Sequence, residues 1–217
     1  MQRCEAPSRF ACEDGAMDAQ QSWRVASLSP ARREDYLAFF DHERGRAFAD
    51  NPAWAGCYCH YFHAATALDW SALDAVANRT AIGARIDVGE MEGFLAFDEA
   101  DRVVGWLNAQ PRHKLPHCFA RLEVPPTPID VPAHDAAVVT CFVIDPRMRR
   151  RGIARALLTH AIETFAARGI HVVDAFPKQS AESAAAHFRG PLALYEALGF
   201  ERLAVHGDTV AVRKSLR

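Results

Sequence analysis

The stretch AAVVTCFVIDPRMRRRGIARALLTHAIETFAARG, residues 136–169, decides the fold of this chain. Its first part, Ala136–Ile144, is an almost unbroken apolar run, which predicts a strand buried on both faces. Asp145-Pro146 ends that strand, and residues 152–168 then place apolar side chains along one side of a helix that ends at Gly169. The stretch therefore predicts a buried strand that leads directly into an amphipathic helix.

The turn between this strand and helix has the character of an anion-binding site. The first N–H groups of a helix lack intrahelical partners, and the helix dipole is positive at that end. Gly152 and Ala154 leave room for a ligand to approach the backbone, and arginines flank them. The pattern favours a diphosphate site, although a plain helix start with a solvated basic patch fits the spacing equally well. A nucleotide-binding P-loop is disfavoured because no Lys-Ser/Thr pair follows the glycine.

The rest of the chain alternates between strand and helix patterns. Further strands are predicted at 23–28, 93–97, 102–108, 170–176, 200–205 and 209–212, and further helices at 32–42, 69–88 and 191–198. This order predicts a single α/β (α+β) domain over residues 22–217. Residues 1–21 are small, polar and aperiodic, and we expect a disordered tail. Residues 43–63 predict a loop or broken helix, and the six prolines of residues 111–134 predict a long loop without regular structure.

Composition and charge exclude several classes of protein. The chain has 217 residues and a net charge of −2, so bulk charge gives no support to a nucleic-acid partner. No apolar run approaches the roughly 20 residues that span a bilayer. No secretory signal opens the chain either, so we expect a cytoplasmic protein without a membrane partner. Its six cysteines are then expected to be free thiols.

Two motifs resemble those of the GNAT superfamily of N-acetyltransferases. The family signature, Arg/Gln-x-x-Gly-x-Gly/Ala at the start of the helix after the fourth strand, is matched by Arg149, Gly152 and Ala154. A second family feature, Leu-Tyr-Glu-x-Leu-Gly-Phe, is matched by residues 194–200. The resemblance implies a GNAT fold, in which a mixed, mostly antiparallel central sheet is flanked by helices and splays between strands 4 and 5. It also implies acetyl-CoA as co-substrate, and a homodimer remains open.

The resemblance further implies how acetyl-CoA is held. Backbone N–H groups of residues 150–155 would bind the pyrophosphate, and the pantetheine arm would lie along the end of the fourth strand. The implied cofactor-binding residues are Phe142, Val143, Ile144, Arg149, Arg150, Arg151, Gly152, Ile153, Ala154 and Arg155. Many relatives also carry an Asn a few residues before the motif tyrosine. Gly190-Pro191 stands there in this chain, so that contact is either absent or made by Arg189.

Tyr195 matches the family's tyrosine that protonates the leaving thiolate, and its alternative is a packed core residue. The base that deprotonates the amine is left open among residues in or beside the proline-rich segment. The candidates are Asp135, His134, His113, His117 and Glu123. Thr140 and Cys141 lie on the fourth strand, where relatives sometimes place a polar group facing the acyl site, but a nucleophilic Cys141 is disfavoured because buried cysteines are usually inert.

Residues 51–63, NPAWAGCYCHYFH, are the most distinctive part of the N-terminal third. They are similar to a GNAT subgroup with a Trp-x-x-Cys-x-Cys segment, and we expect them to form a wall of the acceptor pocket. The substrate-binding candidates are Trp54, Cys57, Tyr58 and Cys59. An aromatic cap over the core is the alternative. A metal site with His60 and His63 is disfavoured because Cys-x-Cys is not the usual zinc spacing, so no metal is predicted.

The predicted function is transfer of an acetyl or short acyl group from acyl-CoA to a primary amine, by direct attack in a ternary complex. The acceptor is predicted to be a small molecule. Three alternatives stay open: a non-catalytic acyl-CoA-binding module of the same fold, a protein N-acetyltransferase, and a metal-dependent binding module built on the cysteines.

Overall fold

The computed structural model describes residues 23–41, 46–124, 131–180 and 186–216. The tail predicted for residues 1–21 lies outside these ranges. The strands are β1 Arg24–Ser27, β2 Phe94–Phe97, β3 Val103–Pro111, β4 Ala136–Ile144, β5 Val172–Ala175, β6 Glu201–His206 and β7 Thr209–Ser215. The α-helices are α1 Arg33–Phe40, α2 Ala75–Asp87, α3 Cys118–Leu122, α4 Ile153–Ala167 and α5 Leu192–Glu196.

The seven strands form one sheet in the order β1-β2-β3-β4-β5-β7-β6. Every neighbouring pair is antiparallel except β4 and β5, which run parallel. Buried side chains cover both faces: Trp106 packs against Tyr36 of α1 on one side, and Phe94 packs against Phe165 of α4 on the other. The predicted mixed sheet flanked by helices is therefore confirmed.

The sheet opens between β4 and β5. These strands pair only from Ala136 with Val172 to Val139 with Ala175. Beyond that point β4 continues for five more residues along β3, up to Ile144, while β5 has ended. The predicted splay between the fourth and fifth strands is thus confirmed, and it leaves residues 140–144 without a β5 partner on that side.

A β-bulge at Thr140 sets which side chains face the opening. Asn108 of β3 pairs with Cys141, whereas the next residue, Ala109, pairs with Val139, so Thr140 is the extra residue. Strict alternation would put Val138 and Cys141 on opposite faces. The bulge instead puts both on the side of α1 and α2, because it shifts the alternation by one residue.

Some predicted boundaries differ from the observed ones. The helix predicted at 69–88 begins only at Ala75, because the Asp74 side chain accepts the N–H of Ala77 at 2.7 Å and caps the helix there. The prediction of no regular structure in residues 111–134 is wrong at α3, since Pro116 and Pro125 flank this short helix without interrupting it. Within the described ranges, no helix is both long and apolar enough to cross a membrane.

Candidate active site

The turn from β4 into α4 presents a run of unpartnered amides. Asp145, fully buried, accepts the N–H of Arg147 at 3.0 Å and also binds its guanidinium, which fixes the start of the turn. The first helical hydrogen bond runs from Ala156 to the Gly152 carbonyl at 2.9 Å. Among the described residues, no acceptor contacts the backbone N–H groups of residues 149–155. This is the arrangement that binds anions at helix N-termini.

Gly152 is required here by its backbone conformation. It caps α4 with φ of 81°, in the left-handed region that side chains disfavour. A Cβ on Gly152 would meet no other atom within 4 Å, so the space above the amides is open. The sequence pattern assigned Gly152 to close approach of a ligand, and the structure adds the positive φ as a second reason.

The arginines of this turn differ in whether they form ion pairs. Arg149 forms a two-bonded ion pair with Asp50 at 2.5 and 2.9 Å, and this contact is the first cause of a lowered pKa of the Asp50 carboxyl. Arg150, Arg151 and Arg155 are exposed beside the free amides. The turn is therefore rich in positive charge even with the Arg149 guanidinium paired.

A cavity of about 450 Å³ lies on the α1 and α2 side of β4 and reaches that strand at Cys141. Apolar and aromatic side chains dominate its lining, with few polar groups. It is lined by Phe48, Ala53, Trp54, Gly56, Cys57, Cys59, Tyr61, Phe62, Trp70, Leu73, Ala75, Asn78, Arg121, Glu123, Cys141, Phe188 and Arg189. Its size and character are those of a small-molecule site.

Three of the four predicted wall residues, Trp54, Cys57 and Cys59, line this cavity, and Tyr58 does not. Tyr58 and Cys59 have left-handed backbones, with φ of 44° and 45°, which turn the chain sharply between two short 3-10 helices. As a result, the Tyr58 side chain enters the core and its hydroxyl donates to Asp41 at 3.1 Å. Burial, and then Asp41, raise the pKa of Tyr58 to about 12.

Cys57 and Cys59 at the cavity are neutral thiols. Burial raises the pKa of Cys57 to about 12 and that of Cys59 well above its usual value. A thiol needs to ionise to act as a nucleophile or metal ligand, so these environments disfavour both roles. Within the described part of the chain, no group of three or more His, Cys, Asp or Glu side chains is arranged to hold a metal.

Tyr195 is fully buried on α5, in contact with the rings of Phe142 and Phe200. Its hydroxyl donates to the Arg189 carbonyl at 2.7 Å. Burial, and then Cys141, raise its pKa well above the usual value, so the hydroxyl stays protonated. The structure thus makes Tyr195 a packed core side chain with a protonated hydroxyl, and its role as proton donor to the thiolate stays a prediction.

Gly190 makes this position of Tyr195 possible. Its φ is 84°, and a Cβ there would lie 2.9 Å from the Phe142 ring and 3.0 Å from the Tyr195 hydroxyl. A larger residue would push these side chains apart. The departure from the family's Asn therefore has a packing reason in this chain, namely the close approach of Tyr195 and Phe142 to the backbone.

Of the five residues left open as the base, Glu123 is the one that lines the cavity. It follows α3 with φ of 56° and is exposed. Asp135 instead lies beside β5, where its carbonyl accepts the His171 N–H at 2.7 Å. Sequence reasoning found Glu123 only as one of several candidates and missed Arg121, Phe48 and Trp70, because separate segments of the chain bring these side chains to one cavity.

Two buried histidines lie beneath the cavity wall. The Gln110 amide approaches His63 Nε2 at 3.2 Å, and His60 Nδ1 lies 2.8 Å from the side-chain Oδ1 of Asn78, a residue that lines the cavity. Burial lowers the pKa of both histidines, that of His63 to about 3. Both rings are therefore neutral at physiological pH and act as hydrogen-bonding core residues.

Comparison with known proteins agrees with this fold. The model of the acetyltransferase (GNAT) family matches residues 33–200, so the chain belongs to the GNAT acetyltransferase family. Its activity is therefore acyl transfer. No curated protein matches the chain.

Several solved structures share the fold at low sequence identity. An N-acetyltransferase from Staphylococcus aureus Mu50 is 14% identical with a TM-score of 0.52, over 91% of this chain and 100% of that one. A GNAT superfamily phosphinothricin acetyltransferase from Sinorhizobium meliloti, in complex with AcCoA, is 16% identical with a TM-score of 0.51, over 90% and 89% of the two chains. A putative acetyltransferase from Salmonella typhimurium, with acetyl-CoA, is 15% identical with a TM-score of 0.50, over 91% and 95%.

Proposed function

We propose that this chain transfers an acetyl group from acetyl-CoA to the primary amine of a small molecule, by direct attack while both substrates are bound. Acetyl-CoA is the co-substrate that goes with membership in the family. The observation that carries the proposal is the junction of two features at β4. A strand edge opens beside an amide-rich helix start, and an apolar cavity of about 450 Å³ reaches the same strand.

The turn at residues 149–155 supplies what a diphosphate needs. Its unpartnered amides and exposed arginines offer charge-assisted hydrogen bonds, which contribute roughly 1.5–3 kcal/mol each. The free side of β4 at Phe142, Val143 and Ile144 would then hold the pantetheine arm by its backbone. This arrangement would direct the thioester into the gap between β4 and β5.

Tyr195 is the residue we assign to protonation of the departing thiolate. A simple thiol has a pKa near 8.5. Burial raises the pKa of Tyr195, so its hydroxyl carries a proton at neutral pH, and contact with the departing thiolate would have to offset the weakened acidity. The hydroxyl would have to release the Arg189 carbonyl to make this transfer, and the carbonyl is then free to take another donor.

Glu123 is the residue we assign to removal of the amine proton. An alkyl ammonium has a pKa near 10.4, so the attacking amine has to lose a proton at neutral pH. Among the described residues that line the cavity, Glu123 carries the one carboxylate. Trp54, Cys57 and Cys59 would form the wall against which the body of the acceptor packs.

The direct test is a screen of amines for release of free thiol from acetyl-CoA. It should be combined with thermal unfolding in the presence of acetyl-CoA, which should raise the unfolding temperature. Gly152→Glu should abolish that rise, since it strains the backbone at a positive φ and brings negative charge to the amides. Glu163→Gln, on the exposed side of α4, is the control and should bind acetyl-CoA as the wild type does. Unchanged binding of acetyl-CoA by Gly152→Glu would contradict the assigned site.

A further inference from the structure

Arg189 places a guanidinium with uncommitted donors at the acceptor cavity. It lines the cavity and is half-buried, with its Nε shielded from solvent. The contact of its Nη1 is with the Thr209 hydroxyl, at a long 3.3 Å. Among the described residues, Nε has no acceptor and the guanidinium forms no ion pair. Among the described residues no carboxylate lies within ion-pair distance of this half-buried cation, and Glu123 acts on it only at longer range, so the position favours an anionic ligand.

Arg121, the other arginine of the cavity, provides a contrast within the same wall. Its guanidinium donates to the carbonyls of Ala64 and Ala65, at 3.4 and 2.7 Å, and lies over the ring of Tyr61 at 4.9 Å. Its donors therefore hold the chain together. Arg189 has no such structural task, since its guanidinium only stacks on Phe188 at 5.4 Å and contacts Thr209.

The remaining lining suits a compact molecule with an apolar body. Trp54 and Phe188 meet edge to face at 5.4 Å, and Phe62 and Trp70 complete an aromatic surface. Glu123 adds a carboxylate that attracts an ammonium group. The cavity thus combines one available cation, one anion and apolar walls, which is complementary to a zwitterion with an apolar substituent.

Arg189 is also tied to the assigned chemistry. Its carbonyl accepts the Tyr195 hydroxyl at 2.7 Å, so the cation and the assigned thiolate donor belong to one connected unit. An amine and a carboxylate on the same carbon are separated by only two bonds. An acceptor of that kind would place its amine beside the thioester while its carboxylate reaches Arg189.

We infer that the acceptor is a free amino acid with an apolar or aromatic side chain, whose carboxylate binds Arg189 and whose amine faces Glu123. The inference rests on the proposed function and names the substrate class of the same site. The guanidinium fork matches a carboxylate with two parallel hydrogen bonds, which gives orientation as well as affinity.

The test uses matched acceptors that differ in the carboxylate alone. Thiol release from acetyl-CoA by the full chain is measured for three sets of acceptors. Phenylalanine is compared with phenylalaninamide and phenethylamine, tryptophan with tryptamine, and leucine with isopentylamine. We expect kcat/KM for each amino acid to exceed that of its partner without a carboxylate by roughly 10- to 100-fold, the discrimination that a charged hydrogen bond provides. Arg189→Met should bring this ratio close to one, and Arg189→Lys should give an intermediate value. Arg202→Met, which removes an outward arginine paired with Glu196, should keep the ratio.

The outcomes separate this inference from the proposed function. Faster reaction of the amines that lack a carboxylate, or loss of the ratio in Arg121→Met and not in Arg189→Met, would overturn it. A weaker affinity of Arg189→Met for acetyl-CoA with the ratio unchanged would make Arg189 a cofactor ligand and would also overturn it. If acetyl-CoA binds and no amine releases thiol, the proposed acyl transfer fails instead. In that case thermal unfolding with saturating CoA still tests the inference. A rise in unfolding temperature with phenylalanine that Arg189→Met abolishes would support it. No rise with phenylalanine would overturn it.

Discussion

At the scale of single residues, burial sets the protonation state of Tyr195. Its ring is held by Phe142 and Phe200, and its hydroxyl has one acceptor, the Arg189 carbonyl. Desolvation disfavours the phenolate, which keeps the proton available at neutral pH. The same packing that makes Tyr195 a core residue keeps it protonated and also weakens it as an acid, so its assigned role depends on direct contact with the departing thiolate.

Tyr195→Phe should lower kcat by about 100-fold, the size of a typical general-acid contribution, with little change in affinity for CoA. Steady-state thiol release and CoA titration measure the two effects separately. Tyr58→Phe is the matched control, because its hydroxyl binds Asp41 in the core. An unchanged kcat in Tyr195→Phe would remove this residue from the mechanism.

Glu123→Gln should lower kcat/KM at neutral pH by roughly 100-fold, because the cavity loses its carboxylate base. The deficit should shrink as the pH rises toward the pKa of the amine, since the acceptor then arrives deprotonated. A pH profile of thiol release for both proteins checks this. Asp135→Asn, a rival candidate that does not line the cavity, should retain activity, and the opposite ranking would move the base to Asp135.

At the scale of elements, the path of β4 decides what the site contains. The strand pairs fully with β3, leaves β5 after Val139, and carries a bulge at Thr140. The separation of β4 from β5 frees a strand edge for a ligand, and the bulge turns Cys141 toward the cavity. Both features come from pairing between distant segments, and the apolar run Ala136–Ile144 predicts the strand but not its bulge.

Deletion of Thr140 should destabilise the protein much less than deletion of Phe142 from the same strand. Without Thr140, Val139 and Cys141 alternate regularly and keep their pairs with Ala109 and Asn108, so the later side chains stay on their faces. Deletion of Phe142 instead turns Val143 toward the opposite core layer, and we expect it to cost several kcal/mol in the free energy of unfolding. Urea denaturation measures both losses, and Thr140→Val, which keeps the bulge, is the control. Equal losses for the two deletions would contradict the register described for β4.

At the scale of the whole molecule, the cavity wall rests on buried histidines that link it to β3. His63 contacts Gln110, which in turn donates to Asn108 at 2.9 Å. Burial lowers the pKa of His63 from 6.5 to about 3, so the folded protein excludes a proton that the unfolded chain binds. The stabilisation from neutral His63 is complete above pH 6.5 and is lost as the pH falls toward about 3.

Between pH 7 and pH 5, the wild-type protein should therefore lose about 2 kcal/mol more in the free energy of unfolding than His63→Gln does, since one pKa unit corresponds to about 1.4 kcal/mol. Urea denaturation of both proteins at the two pH values gives the comparison, and the difference between them cancels the titration of other groups. Equal losses would mean that His63 is protonated in the fold.

The sequence alone determined the strand-to-helix unit of residues 136–169, the sheet class, the splay and the family, because apolar periodicity and two local motifs carry that information. Local patterns also led to Trp54, Cys57 and Cys59, which line the cavity, and to Tyr58, which does not, because two left-handed residues in succession turn its side chain into the core. Only the tertiary structure decided that Arg189 and Glu123 share a cavity with residues 48–62. These positions are far apart in the chain, and packing against one sheet opening, which no local pattern encodes, brings them together.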